Sequence, residues 1–141
     1  MNKHDDIIKS WLQFTNFHTK IQRKLDHVLQ KQYQIALKEF YVLLFLSEAP
    51  DQKLRLSQLQ QMVGLSQSAM SRLAARMEQK SCGVIRRSGY DDDKRGVCAV
   101  LTDRGEVRIN EIMNTVNQTL RECFSQEEID HLLLLMNPNQ E

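Results

Sequence analysis

Residues 67–79, QSAMSRLAARMEQ, put two kinds of chemistry on opposite sides of one helix. At about 100° per residue, Gln67, Ser68, Ser71, Arg72, Ala75, Arg76 and Gln79 share one half. Ala69, Met70, Leu73, Ala74 and Met77 fill the other. The first half is hydroxyls, amides and guanidiniums around the small Ala75. No acid falls between Gln67 and Met77, although the chain has 18 acids. An ordinary solvated face mixes signs, whereas a face that meets a polyanion excludes carboxylates. Gln and Arg also make bidentate hydrogen bonds to the edges of nucleic-acid bases.

A second stretch, DDDKRGVCAVLT at 91–102, crowds three acids and two bases beside a glycine and an apolar run. It belongs to VIRRSGYDDDKRGVCAVLT, which reads as a β-hairpin: Val84-Ile85 and the run from Val97 flank a polar loop. Arg86 and Arg87 are adjacent, so on one strand they point to opposite faces.

The elements that must hold these residues follow from periodicity and punctuation. Residues 5–31 read as one long helix with Ile7, Trp11, Phe14, Ile21, Leu25 and Val28 at three- and four-residue steps. That stripe needs a partner, within the chain or from a second copy. Residues 37–48 form a helix that is apolar nearly all round, ended by Ala49-Pro50. A short helix over SQLQQMV, with Ser57 near its start, is broken at Gly64-Leu65-Ser66, and Ser66 can cap the next helix, from Gln67 to about Lys80. Gly83 supplies a stop. Two helices across a three-residue turn have the shape of a helix-turn-helix. Thr102 can cap a helix from Asp103 to about Phe124. Ser125 with Glu128 matches a capping box for a last helix.

The bulk numbers exclude several classes. Gly is 5 and Pro is 2, which leaves few turns and favours long helices. Net charge is +1, but residues 65–95 carry seven Lys/Arg against four Asp/Glu, while residues 96–141 carry three against eight. A basic middle and an acidic tail suit one face on an anion and another elsewhere. No apolar run approaches the ~18 residues of a membrane span. The start lacks a small-residue cleavage site, so a cytoplasmic protein is expected. Cys82, Cys98 and Cys123 offer neither a disulfide framework nor a CxxC pair. His4, His18, His27 and His131 show no HxxxH or HxH spacing, so no metal and no cofactor are expected. P-loop, GxGxxG, GxSxG and HExxH motifs are all missing, which gives an enzyme no support.

The order of helices and hairpin resembles the MarR family of winged helix-turn-helix transcription factors, across nearly the whole chain. The most specific stretch is DKRGVCAVLTDRG at 93–105, similar to the family's wing pattern at Asp93, Arg95, Leu101, Thr102 and Gly105. GLSQSAMSRLAARME at 64–78 is similar to its turn and recognition helix. One departure is QKSCG, which makes the join from recognition helix to wing about two residues longer than usual.

The resemblance implies a mainly α fold with a small β-hairpin wing. It implies a single domain over 1–141, with a winged helix-turn-helix at 36–102 and dimerisation helices at 5–31 and 104–137. It implies a homodimer that regulates transcription, more as a repressor than an activator, on a pseudo-palindromic operator of double-stranded DNA. The 67–80 helix would enter a major groove and the 90–96 wing a minor groove. The DNA-binding candidates are then Gln67, Ser68, Ser71, Arg72, Arg76, Arg87, Lys94 and Arg95. Asp93 would hold a wing arginine in place, and Arg76 would touch phosphate rather than a base. A small aromatic or phenolic ligand would bind near Trp11, Phe14, His18 and Phe40. Two alternatives stay open: a thiol-based redox regulator using Cys82, and a winged-helix protein-interaction module without DNA binding.

Overall fold

A computed structural model of the chain describes residues 3–79, 82–90 and 93–137, and the side chains of 6–79, 82–89 and 96–137. The elements run α1 (Lys3–Tyr33), α2 (Leu37–Glu48), a short 3-10 turn (Pro50–Gln52), β1 (Lys53–Arg55), α3 (Leu56–Val63), α4 (Gln67–Glu78), β2 (Ile85–Tyr90), β3 (Asp93–Leu101), α5 (Asp103–Cys123) and α6 (Gln126–Met136). The chain divides into two compact units. One holds residues 1–34 with 114–141, the other residues 35–113.

The 35–113 unit is a winged helix-turn-helix. Its centre is α2, where Leu37, Phe40, Val42, Leu43 and Leu46 are buried. Gly64 ends α3 in the left-handed conformation, at φ 78°, and its N–H returns to the Gln60 carbonyl at 2.9 Å. That conformation suits glycine, which has no Cβ to clash. Two residues later the Ser66 hydroxyl accepts the Ala69 N–H at 3.2 Å and opens α4. The sheet has the order β1-β3-β2, antiparallel throughout. Strand β1 was not foreseen from sequence: it pairs Lys53 with Val100, Leu54 with Ala99 and Arg55 with Cys98. It makes β3 the central strand. Cys98 and Ala99 are fully buried there, and the apolar run 97–101 has neighbours on both edges. Helix α3 starts at Leu56, so Ser57 lies in its first turn rather than capping it.

The junction between wing and α5 explains why Leu101-Thr102 is followed by glycine three residues on. The Thr102 Oγ donates to the Gly83 carbonyl at 2.6 Å and accepts the Gly105 N–H at 3.0 Å, so one hydroxyl caps α5 and ties it to the turn before β2. A Cβ on Gly105 would stand 2.1 Å from the Val84 carbonyl oxygen and 2.6 Å from Leu101 Cδ1. The backbone contact cannot yield as a flexible side chain would.

In the other unit, Leu25 and Leu29 of α1 and Val116 and Thr119 of α5 are buried. The Tyr33 hydroxyl meets the Thr115 hydroxyl at 2.5 Å. Phe17 meets Phe124 edge to face, with centroids 5.3 Å apart. The capping box opens α6: the Glu128 N–H donates to Ser125 Oγ at 3.1 Å, and the Ser125 N–H donates to the Glu128 carboxylate at 2.9 Å. Large apolar side chains stay exposed here, among them Ile7, Trp11 and Phe14 of α1 and Leu133, Leu134, Leu135 and Met136 of α6.

Gly105→Ala is expected to lower unfolding stability by at least about 2 kcal/mol, because overpacking against backbone forces α5 off the hairpin. Urea denaturation checks this, and an unchanged midpoint would contradict the close-contact account.

Candidate nucleic-acid interface

Helix α4 splits as its sequence requires. Met70, Leu73, Ala74 and Met77 are buried, while Gln67, Ser68, Ser71, Arg72, Arg76 and Gln79 are exposed. Ala75 lies half-buried between the two. Lys80 is outside the described residues, and α4 ends at Glu78. A cleft of about 210 Å³ lies beside the start of α4, lined by Ser57 and Gln60 of α3, Gln67 and Ser71 of α4, Arg87 of β2 and Val97 of β3. Two helices and the hairpin thus present polar groups to one concave surface.

The arginines of this surface are not equivalent. Arg72 is exposed, and no described residue bonds to its side chain. Arg76, the residue expected at phosphate rather than at a base, donates from its Nη2 to Oε1 of Glu39, on α2, at 2.5 Å. Glu39 is 6% exposed, whereas the Arg76 side chain is 56% exposed. Arg87 was likewise expected to serve DNA directly. Its backbone N–H donates to Oε2 of Glu78 at 2.6 Å, and its guanidinium reaches Oε1 at 3.3 and 3.4 Å. Arg86 and Arg87 are both exposed and opposite Val100 and Ala99 in the register. The Arg87 backbone N–H, and after it the guanidinium, hold the Glu78 carboxyl below the ordinary glutamate range. Glu78 therefore staples the end of α4 to β2.

The wing tip is visible only as backbone. Asp93 pairs with Tyr90 in the register, with an irregularity between Gly89 and Tyr90. Asp93, Lys94 and Arg95 lie on β3. Their side chains, like all of Asp91 and Asp92, are outside the described residues.

Sequence reasoning missed Ser57, Gln60, Glu39 and Glu78. Ser57 and Gln60 are three apart on α3, so they share a face, which was the available signal. Glu78 was noted only as a late acid near the polar side. For Glu39, a lone acid in the apolar run LKEFYVLLFL was a signal that something must neutralise it.

The ligand-pocket candidates lie on two elements, α1 and α2. Trp11, Phe14 and His18 stack in series along α1, with centroid spacings of 6.2 and 6.4 Å, and all three are exposed. Phe40 belongs to the other unit and is 5% exposed, a core side chain of α2. Cys82 is half-buried in the turn after α4, and its N–H donates to the Gln79 carbonyl at 2.8 Å. Cys98 is buried in β3. Among the described residues no group of three His, Cys, Asp or Glu could hold a metal ion, and no helix is long and apolar enough to cross a membrane.

Comparison with known proteins agrees with this geometry. The sequence model of the MarR family matches residues 33–96. The chain is 32% identical over 121 residues to the HTH-type transcriptional regulator PecS of Dickeya dadantii, covering 82% of this chain and 70% of PecS. It is 27% identical over 136 residues to the HTH-type transcriptional regulator TcaR of Staphylococcus aureus, covering 94% of this chain and 88% of TcaR. The fold is shared with Sco3205, a MarR family transcriptional regulator from Streptomyces coelicolor whose crystal structure is a complex with DNA. There the TM-score is 0.80 at 24% identity, over 97% of this chain and 86% of that one.

The Glu78 staple carries a sign. A carboxyl held low in the folded state adds stability that is complete above its unfolded pKa, ~4.3. That stability is lost as pH falls through the lower folded value. Glu78→Gln should remove this part of the acid sensitivity, by less than about 1 kcal/mol for a solvent-screened pair. Denaturation midpoints of both proteins at pH about 7 and about 3 measure it. Equal pH dependence would show that the staple contributes nothing.

Proposed function

The chain belongs to the MarR family, and from that premise we propose that it is a homodimeric, sequence-specific DNA-binding transcriptional regulator, acting as a repressor in the cytoplasm. The observation that carries the reading is the outer face of α4. Six polar or basic side chains stand exposed on it, it holds no acid before Glu78, and the hairpin lies against the same cleft. In this reading α4 enters a major groove, where Gln67, Ser68, Ser71 and Arg72 meet base edges and Arg76 meets phosphate. The 90–96 wing enters the adjacent minor groove, whose negative potential attracts the guanidinium of Arg95. Asp93 keeps that side chain ordered. Ser57 and Gln60 join the interface by contacting the backbone at its edge.

The homodimer is supported by the apolar surface of the other unit. Leu134 is 62% exposed and Leu135 68%, and Trp11 on α1 is 62% exposed. Large apolar side chains left in water along these helices mark an interaction surface. A two-fold assembly of these helices would set the two α4 helices about 34 Å apart, one turn of DNA, and would read a pseudo-palindrome. Repression would be relieved by a small aromatic or phenolic ligand bound near the stacked Trp11, Phe14 and His18.

Operator fragments selected from genomic DNA, including the protein's own promoter, test the reading by titration across a salt series. Arg72→Ala and Arg95→Ala should each weaken operator binding by ~1–3 kcal/mol. Weak binding by the wild type that disappears at physiological salt and ignores both substitutions would point to a protein partner instead. Leu134→Asp should convert the dimer to monomer in sedimentation equilibrium. A monomeric wild type would remove the two-fold geometry from the account.

A further inference from the structure

We infer that Glu39 is a positioning residue for DNA recognition. From inside the helix-turn-helix it holds the Arg76 guanidinium in one orientation on the face of α4. The inference rests on the regulator reading above and assigns a role to a buried residue of α2.

Glu39 sits on α2, the most buried helix of its unit, and is itself 6% exposed. A carboxylate taken out of water at such a place must be paired, because an unpaired buried charge is strongly destabilising. Its bonded partner is Arg76, at 2.5 Å between Nη2 and Oε1. Arg76 is not buried with it: 56% of its side chain stays exposed, on the same strip as Arg72 one helical turn earlier. A guanidinium has five N–H donors in a rigid plane. One of them, on Nη2, is engaged by Glu39, and more than half of the side chain remains open to solvent.

Two consequences follow. An arginine pinned at one edge has already lost its rotamer freedom on folding, so that entropy is not lost again when DNA binds. The carboxylate also offsets much of the arginine's charge, which weakens its pull on phosphates in general while leaving its directed N–H bonds intact. Together these favour a phosphate presented at one place over phosphates at large. They raise the ratio of operator to non-specific affinity rather than affinity itself. The neighbouring Lys38 works in parallel: its Nζ donates to the Val63 carbonyl at 2.9 Å, at the C-terminus of α3. Two adjacent residues of α2 thereby hold the two helices of the motif, one by a cation and one by an anion.

The test compares wild type, Glu39→Gln, Arg76→Ala and the double variant on an operator duplex and a scrambled duplex across a salt series, with melting temperatures alongside. Glu39→Gln should lose about tenfold in operator affinity, as expected when a charge-assisted bond is lost. It should bind the scrambled duplex at least as well as wild type. Arg76→Ala should weaken both duplexes and lower the salt slope by about 0.9, one phosphate contact. The double variant should match Arg76→Ala alone. Unchanged operator affinity in Glu39→Gln overturns the inference. So does a proportional loss on both duplexes, which a merely structural role would give, and so does additivity in the double variant. If Glu39→Gln unfolds, Arg76→Lys serves. It keeps the charge on an exposed position and should retain the salt slope while losing operator preference, and wild-type preference in Arg76→Lys likewise overturns the inference. A wild type with no operator preference would sink the regulator reading and this inference with it, whereas a selective wild type beside a silent Glu39→Gln sinks only the inference.

Discussion

The backbone of Val84 is the point through which the winged unit is assembled. Its N–H donates to the Met77 carbonyl in the last turn of α4, at 3.2 Å. Its carbonyl accepts the Thr102 N–H at 3.1 Å and lies where a side chain on Gly105 would go. One residue, through its two flanking peptides, therefore ties the end of the recognition helix, the root of the hairpin and the first turn of α5 to each other. Side-chain packing alone would leave these elements free to slide, since apolar contact has no direction. Backbone hydrogen bonds with 9% exposure at Val84 do have direction, and breaking them would strand buried polar groups. This joint anchors the root of the wing, and the β2–β3 pairing carries it outward.

Charge is then arranged around that frame so that two acids beside α4 are paired. Glu39 and Glu78 are the carboxylates that meet the arginines of this face. Each is engaged, Glu39 by Arg76 and Glu78 by Arg87. Left open, either would repel a phosphate at close range. Paired, each orders a cation and ties two elements: α2 to α4 in one case, α4 to β2 in the other.

Much of this was legible in the sequence, and the boundary of legibility has a physical cause. The two faces of α4, the break at Gly64, the cap at Ser66, the box at Ser125 and Glu128, and the hairpin all announce themselves through local rules of period and punctuation. The helix over 37–48 matches its observed bounds residue for residue. What escaped was non-local. Strand β1 is three residues long, too short to display alternation, and exists because β3 has a free edge. Arg76 and Glu39 are 37 residues apart, and no periodicity links them.

The two units illustrate opposite solutions to the same hydrophobic requirement. In residues 35–113 the apolar side chains close on themselves, and the large exposed ones, such as Met62 and Val97, are scattered. In the other unit the exposed apolar residues run consecutively, from Leu132 to Met136, on a helix with no buried residue at all. Such a helix gains little from folding as a lone chain, because its capping box contributes only about 1 kcal/mol against the entropy of ordering eleven residues. Its order has to come from burial against another surface.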